Sequence, residues 1–136
     1  MTAHPPRGTR IAHVGLALPD LGAALPFFRD FLGMPQVPIG DSDGARIAAV
    51  AAGDALVELL EPVEEATPIG KFLAKRGPGI HHICFAVDDL DGTLARAKAA
   101  GLRLIDETPR IGAEGKRIAF LHPSSTAGIL VELSEY

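Results

Sequence analysis

Residue types that bind metals and move protons recur in this chain as two copies of one pair: His13 with Glu58, then His82 with Glu132. The segment Ile11-Ala-His-Val-Gly-Leu-Ala-Leu-Pro-Asp-Leu21 aligns with Ile80-His-His-Ile-Cys-Phe-Ala-Val-Asp-Asp-Leu90 at an offset of 69, which sets His13 on His82. Leu56-Val-Glu-Leu59 matches Leu130-Val-Glu-Leu133 at an offset of 74, which sets Glu58 on Glu132; the five extra positions fit a loop insertion in the second half. Two imidazoles and two carboxylates from equivalent strands can converge near a pseudo-twofold axis around one divalent ion, leaving positions open for water or substrate. Such mixed N/O ligation suits Mn, Co, Ni, Fe or Zn better than Ca or a thiolate-preferring metal. Each glutamate sits mid-strand among aliphatic residues, where burial without a partner is expensive. A glutamate in a short strand can also face solvent, so it is the repeat, not either residue alone, that points to a metal site.

Strand period decides which face each histidine takes. His13 shares its face with Gly15 and Ala17, and His82 with Cys84 and Ala86, so both look across small residues. His81 falls with Ile83, Phe85 and Val87 and reads as a packed or edge histidine. Cys84 reads as a small buried thiol, and Asp88-Asp89 as a helix cap.

Within each half the elements run strand, helix, then several strands. The first helix begins near Asp20, with Leu21, Ala24, Leu25, Phe28 and Leu32 at helical spacing, and Pro26 predicts a kink or a start nearer to itself. In the second half Asp89 caps, Leu90, Leu94 and Ala97 form the apolar stripe, and Gly101 ends the helix. Strands are expected over Arg46 to Val50, Ala55 to Leu60, Leu102 to Ile105, Arg117 to Leu121 and Ile129 to Ser134. Thr67 to Gly77 carries a cap, a first-turn proline and a terminal glycine, and reads as a short linking helix. Glu61, Glu64 and Glu65 read as a solvated run before it. The division is a tail over 1–9 with His4 a bystander, then one domain over 10–136: a first module to about 66, the linker over 67–77, and a second module from about 78. A period near 70 is too long for a solenoid and marks one duplicated domain.

The 136 residues suit a single domain, and 47% hydrophobic with 22% charged residues excludes wholesale disorder. A net charge of −4 leaves no footprint for nucleic acid or an anionic membrane. The single cysteine forbids an internal disulfide and favours a reducing compartment. No apolar run reaches membrane-spanning length and the N-terminus lacks a signal-peptide core, so a cytoplasmic protein is expected. Neither a Walker-type loop nor a CxxC pair is present.

These residues resemble the vicinal oxygen chelate superfamily (glyoxalase, bleomycin resistance, dioxygenase), and within it the methylmalonyl-CoA epimerase family. The likeness runs from Arg10 to Tyr136 and rests on Ile11-Ala-His-Val, Val57-Glu-Leu-Leu-Glu-Pro62, Lys71-Phe-Leu-Ala-Lys75, Gly79-Ile-His-His-Ile83 with Val87-Asp-Asp-Leu90, Gly115-Lys-Arg-Ile118, Phe120-Leu-His-Pro123 and Gly128-Ile-Leu-Val-Glu-Leu133. It implies an α+β fold of two tandem βαβββ modules, forming an open eight-stranded cup-shaped sheet around one divalent ion. It implies interconversion of (2R)- and (2S)-methylmalonyl-CoA through an enolate, with His13, Glu58, His82 and Glu132 as metal ligands. Glu132 would be the first base and Glu58 its partner on the opposite face. Lys116 and Arg117 would meet the CoA phosphates at the rim, and the protein would be a homodimer. Lys71, Lys75 and Arg76 are further cations, most simply solvated. Some family members carry an additional acid on the strand occupied here by Arg46-Ile-Ala-Ala49, which has none. A glyoxalase I type lyase acting on a hemithioacetal would use the same four ligands, and a metal-free binding module of this fold would need none.

Overall fold

A computed structural model describes residues 8–135; the expected tail, with His4, lies largely outside them. Each half runs βαβββ, the α+β organisation that the family resemblance implied. The first comprises β1 (Arg10–Ala17), α1 (Leu21–Pro26), β2 (Gln36–Val37), β3 (Ala45–Ala52) and β4 (Ala55–Pro62). After α2 (Pro68–Arg76), the second comprises β5 (Gly79–Val87), α3 (Leu90–Ala99), β6 (Arg110–Ile111), β7 (Arg117–Leu121) and β8 (Val131–Glu135). The chain divides into two compact units, residues 13–83 and residues 84–135 with the start of β1, so β1 and β5 each run through both.

In the first unit the strand order is β2-β3-β4-β1. β3 and β4 form an antiparallel hairpin around Gly53-Asp54, where Gly53 takes a left-handed φ of 63°. β1 then pairs with β4 in parallel. That register sets Gly15 beside Glu58, and the hairpin sets Ala49 opposite Glu58, so small residues flank the carboxylate on both sides. Ala17, Ala45 and Leu60 pack with Ile69 of α2, and Ile47, Phe72 and Leu73 extend the cluster. α2 has the expected cap, Thr67 Oγ1 accepting from Gly70 N at 3.2 Å, and ends at Gly77 with φ 74°.

Pro26 does not delay the first helix, which starts at Leu21 under the Asp20 cap as the cap residue alone would dictate. Proline instead ends the α-helical turns, having no N–H for the next intrahelical bond. The chain continues as a π-helical turn over Phe27–Phe31, closed by Leu32 N donating to Phe27 O at 3.0 Å.

In the second unit the order is β5-β8-β7-β6. Val87, Leu90, Leu94, Ala119, Leu121 and Leu133 form its core, joining α3 to one face of β7 and β8. Glu132 and Ser134 alternate onto the other face. The expected strand over Leu102 to Ile105 reduces to a single bridge, Leu104 to Leu121. A side chain displaces it: Asp106 Oδ2 accepts the Phe120 N–H at 2.8 Å, which a continuing ladder would have needed. The strand beside β7 is instead Arg110–Ile111, too short to show a period.

Both units carry one further device in duplicate. Glu61 Oε1 accepts from the first amide of α1, Leu21 N, at 2.9 Å, and its Oε2 accepts from Arg46 at 2.6 Å. Glu135 Oε2 accepts from the first amide of α3, Leu90 N, at 3.0 Å, and its Oε1 accepts from Arg117 at 2.8 Å. Each strand that ends a half thus ties down the N-terminus of that half's helix, filling an orphan donor with a favourably placed anion. Glu61 is therefore no solvated bystander. The helix amide foremost, and the guanidinium after it, hold both carboxyls below the ordinary value of 4.5. A carboxyl depressed in the folded state stabilises fully above its unfolded pKa, and that contribution is lost as pH falls through the folded one. Denaturant titrations across acid pH are expected to show stability falling from about 4.5 downward. Glu61→Gln and Glu135→Gln should each flatten that fall while lowering stability at neutral pH.

Candidate metal centre

His13 reaches its position because β1 alternates: residues 13, 15 and 17 share one face, and the parallel register lays that face beside Glu58 and Leu60 of β4. His13, Glu58 and His82 are 3%, 3% and 5% exposed. The rings of His13 and His82 meet edge to face, with Nε2 to Nε2 at 3.0 Å. His13 Nδ1 lies 3.3 Å from Glu58 Oε2. One ligand atom from each of the three lies within 4.8 Å of the others, a grouping able to hold a metal ion.

The chemistry of these donors fits such an ion. Two nitrogens 2.0–2.1 Å from one metal, at right angles, stand roughly 3 Å apart, which is the separation of the two Nε2 atoms. Nitrogen and oxygen donors buried together suit a borderline first-row ion. Room for the arrangement is supplied by a missing atom: a Cβ on Gly15 would overlap the His82 imidazole. The small residue read from strand period as leaving space is thus the one against which the second histidine lies.

Glu132 belongs to the second unit, 5% exposed in mid-β8 and opposite Phe120 in the β7 pairing. It is the positional counterpart of Glu58, each lying three residues ahead of a clamping glutamate. Ser134, two residues on and on the same face, was not singled out by sequence. Its buried Oγ has no hydrogen-bond partner among the described residues, and strand period would have flagged it. Cys84 is fully buried against Ala12 and Ala86.

The basic residues differ from one another. Arg117 is forked between two carboxylates, Nη1 on Glu135 and Nη2 on both Asp91 oxygens at 3.0 and 3.1 Å. Those partners, Asp91 foremost, raise its pKa further. Lys116 precedes it, half-buried at the end of the Gly112–Gly115 turn. Arg76 lies over the Phe72 ring at 5.7 Å. His81, expected to be a packed residue, does meet Phe72 edge to face at 5.1 Å, but its Nδ1 also lies 3.0 Å from His82 Nδ1. Among the described residues no helix is long and apolar enough to cross a membrane.

Residues 12–120 match the model of the glyoxalase/bleomycin resistance protein/dioxygenase superfamily. The ethylmalonyl-CoA/methylmalonyl-CoA epimerase of Cereibacter sphaeroides is 41% identical over 130 residues, covering 93% of this chain and 97% of that protein. The crystal structure of methylmalonyl-CoA epimerase from Mycobacterium tuberculosis superposes with a TM-score of 0.88 at 39% identity, covering 99% of this chain and 92% of that one. A methylmalonyl-CoA epimerase in complex with methylmalonyl-CoA and NH4+ superposes with a TM-score of 0.89 at 38% identity, covering 93% and 94%. Fold and repeat agree with these likenesses: the chain belongs to the glyoxalase/bleomycin resistance/dioxygenase superfamily, in its methylmalonyl-CoA epimerase family.

Proposed function

We propose that this chain interconverts (2R)- and (2S)-methylmalonyl-CoA by removing and returning the proton at C2. The observation that carries the reading is the buried His13, Glu58 and His82 group, built by a repeat that supplies a second carboxylate, Glu132, at the position matching Glu58.

His13, Glu58, His82 and Glu132 would hold one divalent ion, of which Co, Mn, Ni, Zn and Fe all suit the donor set. When bound, it supplies Lewis acidity that stabilises negative charge on the thioester and carboxylate oxygens of the substrate as C2 loses its proton. A proton α to a thioester is only weakly acidic, so the base must be placed ahead of the reaction rather than recruited from solvent. Glu132 is assigned as that base. Inversion needs a second proton carrier on the other face of the planar enolate, and Glu58, its counterpart in the repeat, is assigned that part. A carboxylate has two oxygens, so serving as ligand through one leaves the other to carry the proton.

The CoA phosphates need cations at the rim, and Lys116-Arg117 are the pair assigned to them. Because two carboxylates already balance Arg117, the direct contact falls to Lys116, with Arg117 fixing the strand from which Lys116 extends. The protein is read as a cytoplasmic homodimer. The family resemblance supports the dimer, and a lone buried cysteine supports the reducing compartment.

The test is proton exchange. Metal-loaded protein in D2O is followed by NMR at C2 of methylmalonyl-CoA, and exchange with interconversion of epimers is expected. Glu132→Gln should lower the rate by roughly 100- to 10,000-fold, the range for a lost acid–base group. No exchange by metal-loaded wild-type protein overturns the reading, and turnover of hemithioacetals would replace it with a lyase. The same measurement on ethylmalonyl-CoA reads how large an alkyl group is admitted. Gly15→Ala would push its Cβ into the buried His82 ring, which must shift. It should weaken metal binding by at least about tenfold, as expected when a ligand is disoriented, and should also lower the unfolding midpoint of the metal-free protein through overpacking.

A further inference from the structure

We infer that His81 is a positioning residue: its Nδ1 accepts the Nδ1–H of His82 and so holds that ring with Nε2 bare of a proton and turned toward His13. This rests on the metal reading above. His82 Nε2 faces His13 Nε2 at 3.0 Å, and His82 Nδ1 lies 3.0 Å from His81 Nδ1. An imidazole that ligates through Nε2 must carry its proton on Nδ1, and ligating histidines almost always hand that proton to an acceptor. On the Nδ1 side of His13 the nearest charged group is Glu58 Oε2, 3.3 Å away. For His82 the group in that place is the neighbouring histidine.

His81 is itself held. Its ring meets Phe72 of α2 edge to face at 5.1 Å and His82 nearly perpendicularly, with 5.2 Å between centroids. Phe72 packs against the Ala17, Ala45, Leu60 and Ile69 cluster on one side, and Arg76 covers its ring at 5.7 Å. The orientation of His82 is thereby set by the linking helix, through two aromatic contacts and one hydrogen bond. A ring merely filling space would need the edge-to-face contact but not the nitrogen, and this difference makes the inference testable.

His81→Phe keeps a ring for Phe72 and removes the acceptor. His81→Asn places Oδ1 near the Nδ1 position and removes the ring, while His81→Gln places its oxygen near the Nε2 position instead. Co2+ affinity is measured by chelator competition for the whole protein, with the visible spectrum of the bound ion and the unfolding midpoint of the metal-free form alongside. Expected for His81→Phe are a loss of affinity of roughly 10- to 100-fold and an altered spectrum, with the metal-free midpoint held. His81→Asn should stay within about threefold of wild type, the rescue a hydrogen-bond role requires. If phenylalanine destabilises the fold, Asn against Gln reads the same contrast, with Asn binding more tightly. Wild-type affinity in His81→Phe, or equal losses in the Asn and Gln variants, overturns the inference alone. A wild-type protein without affinity for Co2+ overturns the metal reading and the inference with it.

Discussion

Lone pairs and protons buried on one face of a sheet have to be matched to each other, because little solvent reaches them, and His13, Glu58 and His82 are each at least nineteen-twentieths buried. That requirement propagates outward. The parallel pairing of β1 with β4 sets a glycine beside Glu58, and the hairpin sets an alanine opposite. Leucine in either place would seal the face as ordinary core. The first unit therefore keeps its large aliphatic residues toward the α2 end of the same face, at Leu60 and Ile69, and leaves the region around the histidines thinly furnished. The room these small residues leave is taken up by the His82 imidazole itself, which a larger side chain in a close-packed interior would have excluded.

Stiffness comes from carboxylates of a second sort. Glu61 and Glu135 lie three residues beyond Glu58 and Glu132, on the opposite faces of the same strands, and each binds the first amide of a helix and an arginine of the neighbouring strand. The ion-pair ends of these clamps are open to solvent, which screens them and keeps their share of the stability small. Their use is geometric, since a strand tied at its far end to a helix and a neighbour cannot slip in register without breaking both ties. The two halves differ in detail: Arg117 reaches a second carboxylate, Asp91, whereas Arg46 is mostly exposed.

Much of this was legible in the residues themselves. Coincidence of His13 with His82 and of Glu58 with Glu132 gave the candidate ligands, and period two gave the face on which the histidines lie. Thr67, Asp20 and Asp89 announced their helices through cap chemistry, which is local. What escaped was non-local or too short. β2 and β6 have two residues each and exist only through their neighbours. Leu102 to Ile105 has strand composition, but the fate of its ladder was decided by Asp106. Glu61 looked like a member of an acidic run, although extending the match by two residues, Val-Glu-Leu-Leu-Glu against Val-Glu-Leu-Ser-Glu, shows that it too is repeated. His81 escaped because facing rules treat adjacent strand residues as strangers, whereas two imidazole rings are long enough to meet.

Helix N-termini ordinarily serve as receptors for phosphate, offering bare amides and a positive potential. In α1 and α3 that vacancy is filled from within, by Glu61 and Glu135, each acting as a permanently bound anion. An incoming phosphate ester would meet carboxylates there rather than amides, and be repelled. The starts of these two helices are thereby closed to anionic ligands, whereas α2 begins under the neutral Thr67 cap. A polyanion that meets α1 or α3 from outside finds no amide to accept it and must be held, if at all, by side-chain cations, whose attraction ionic strength screens within about 10 Å.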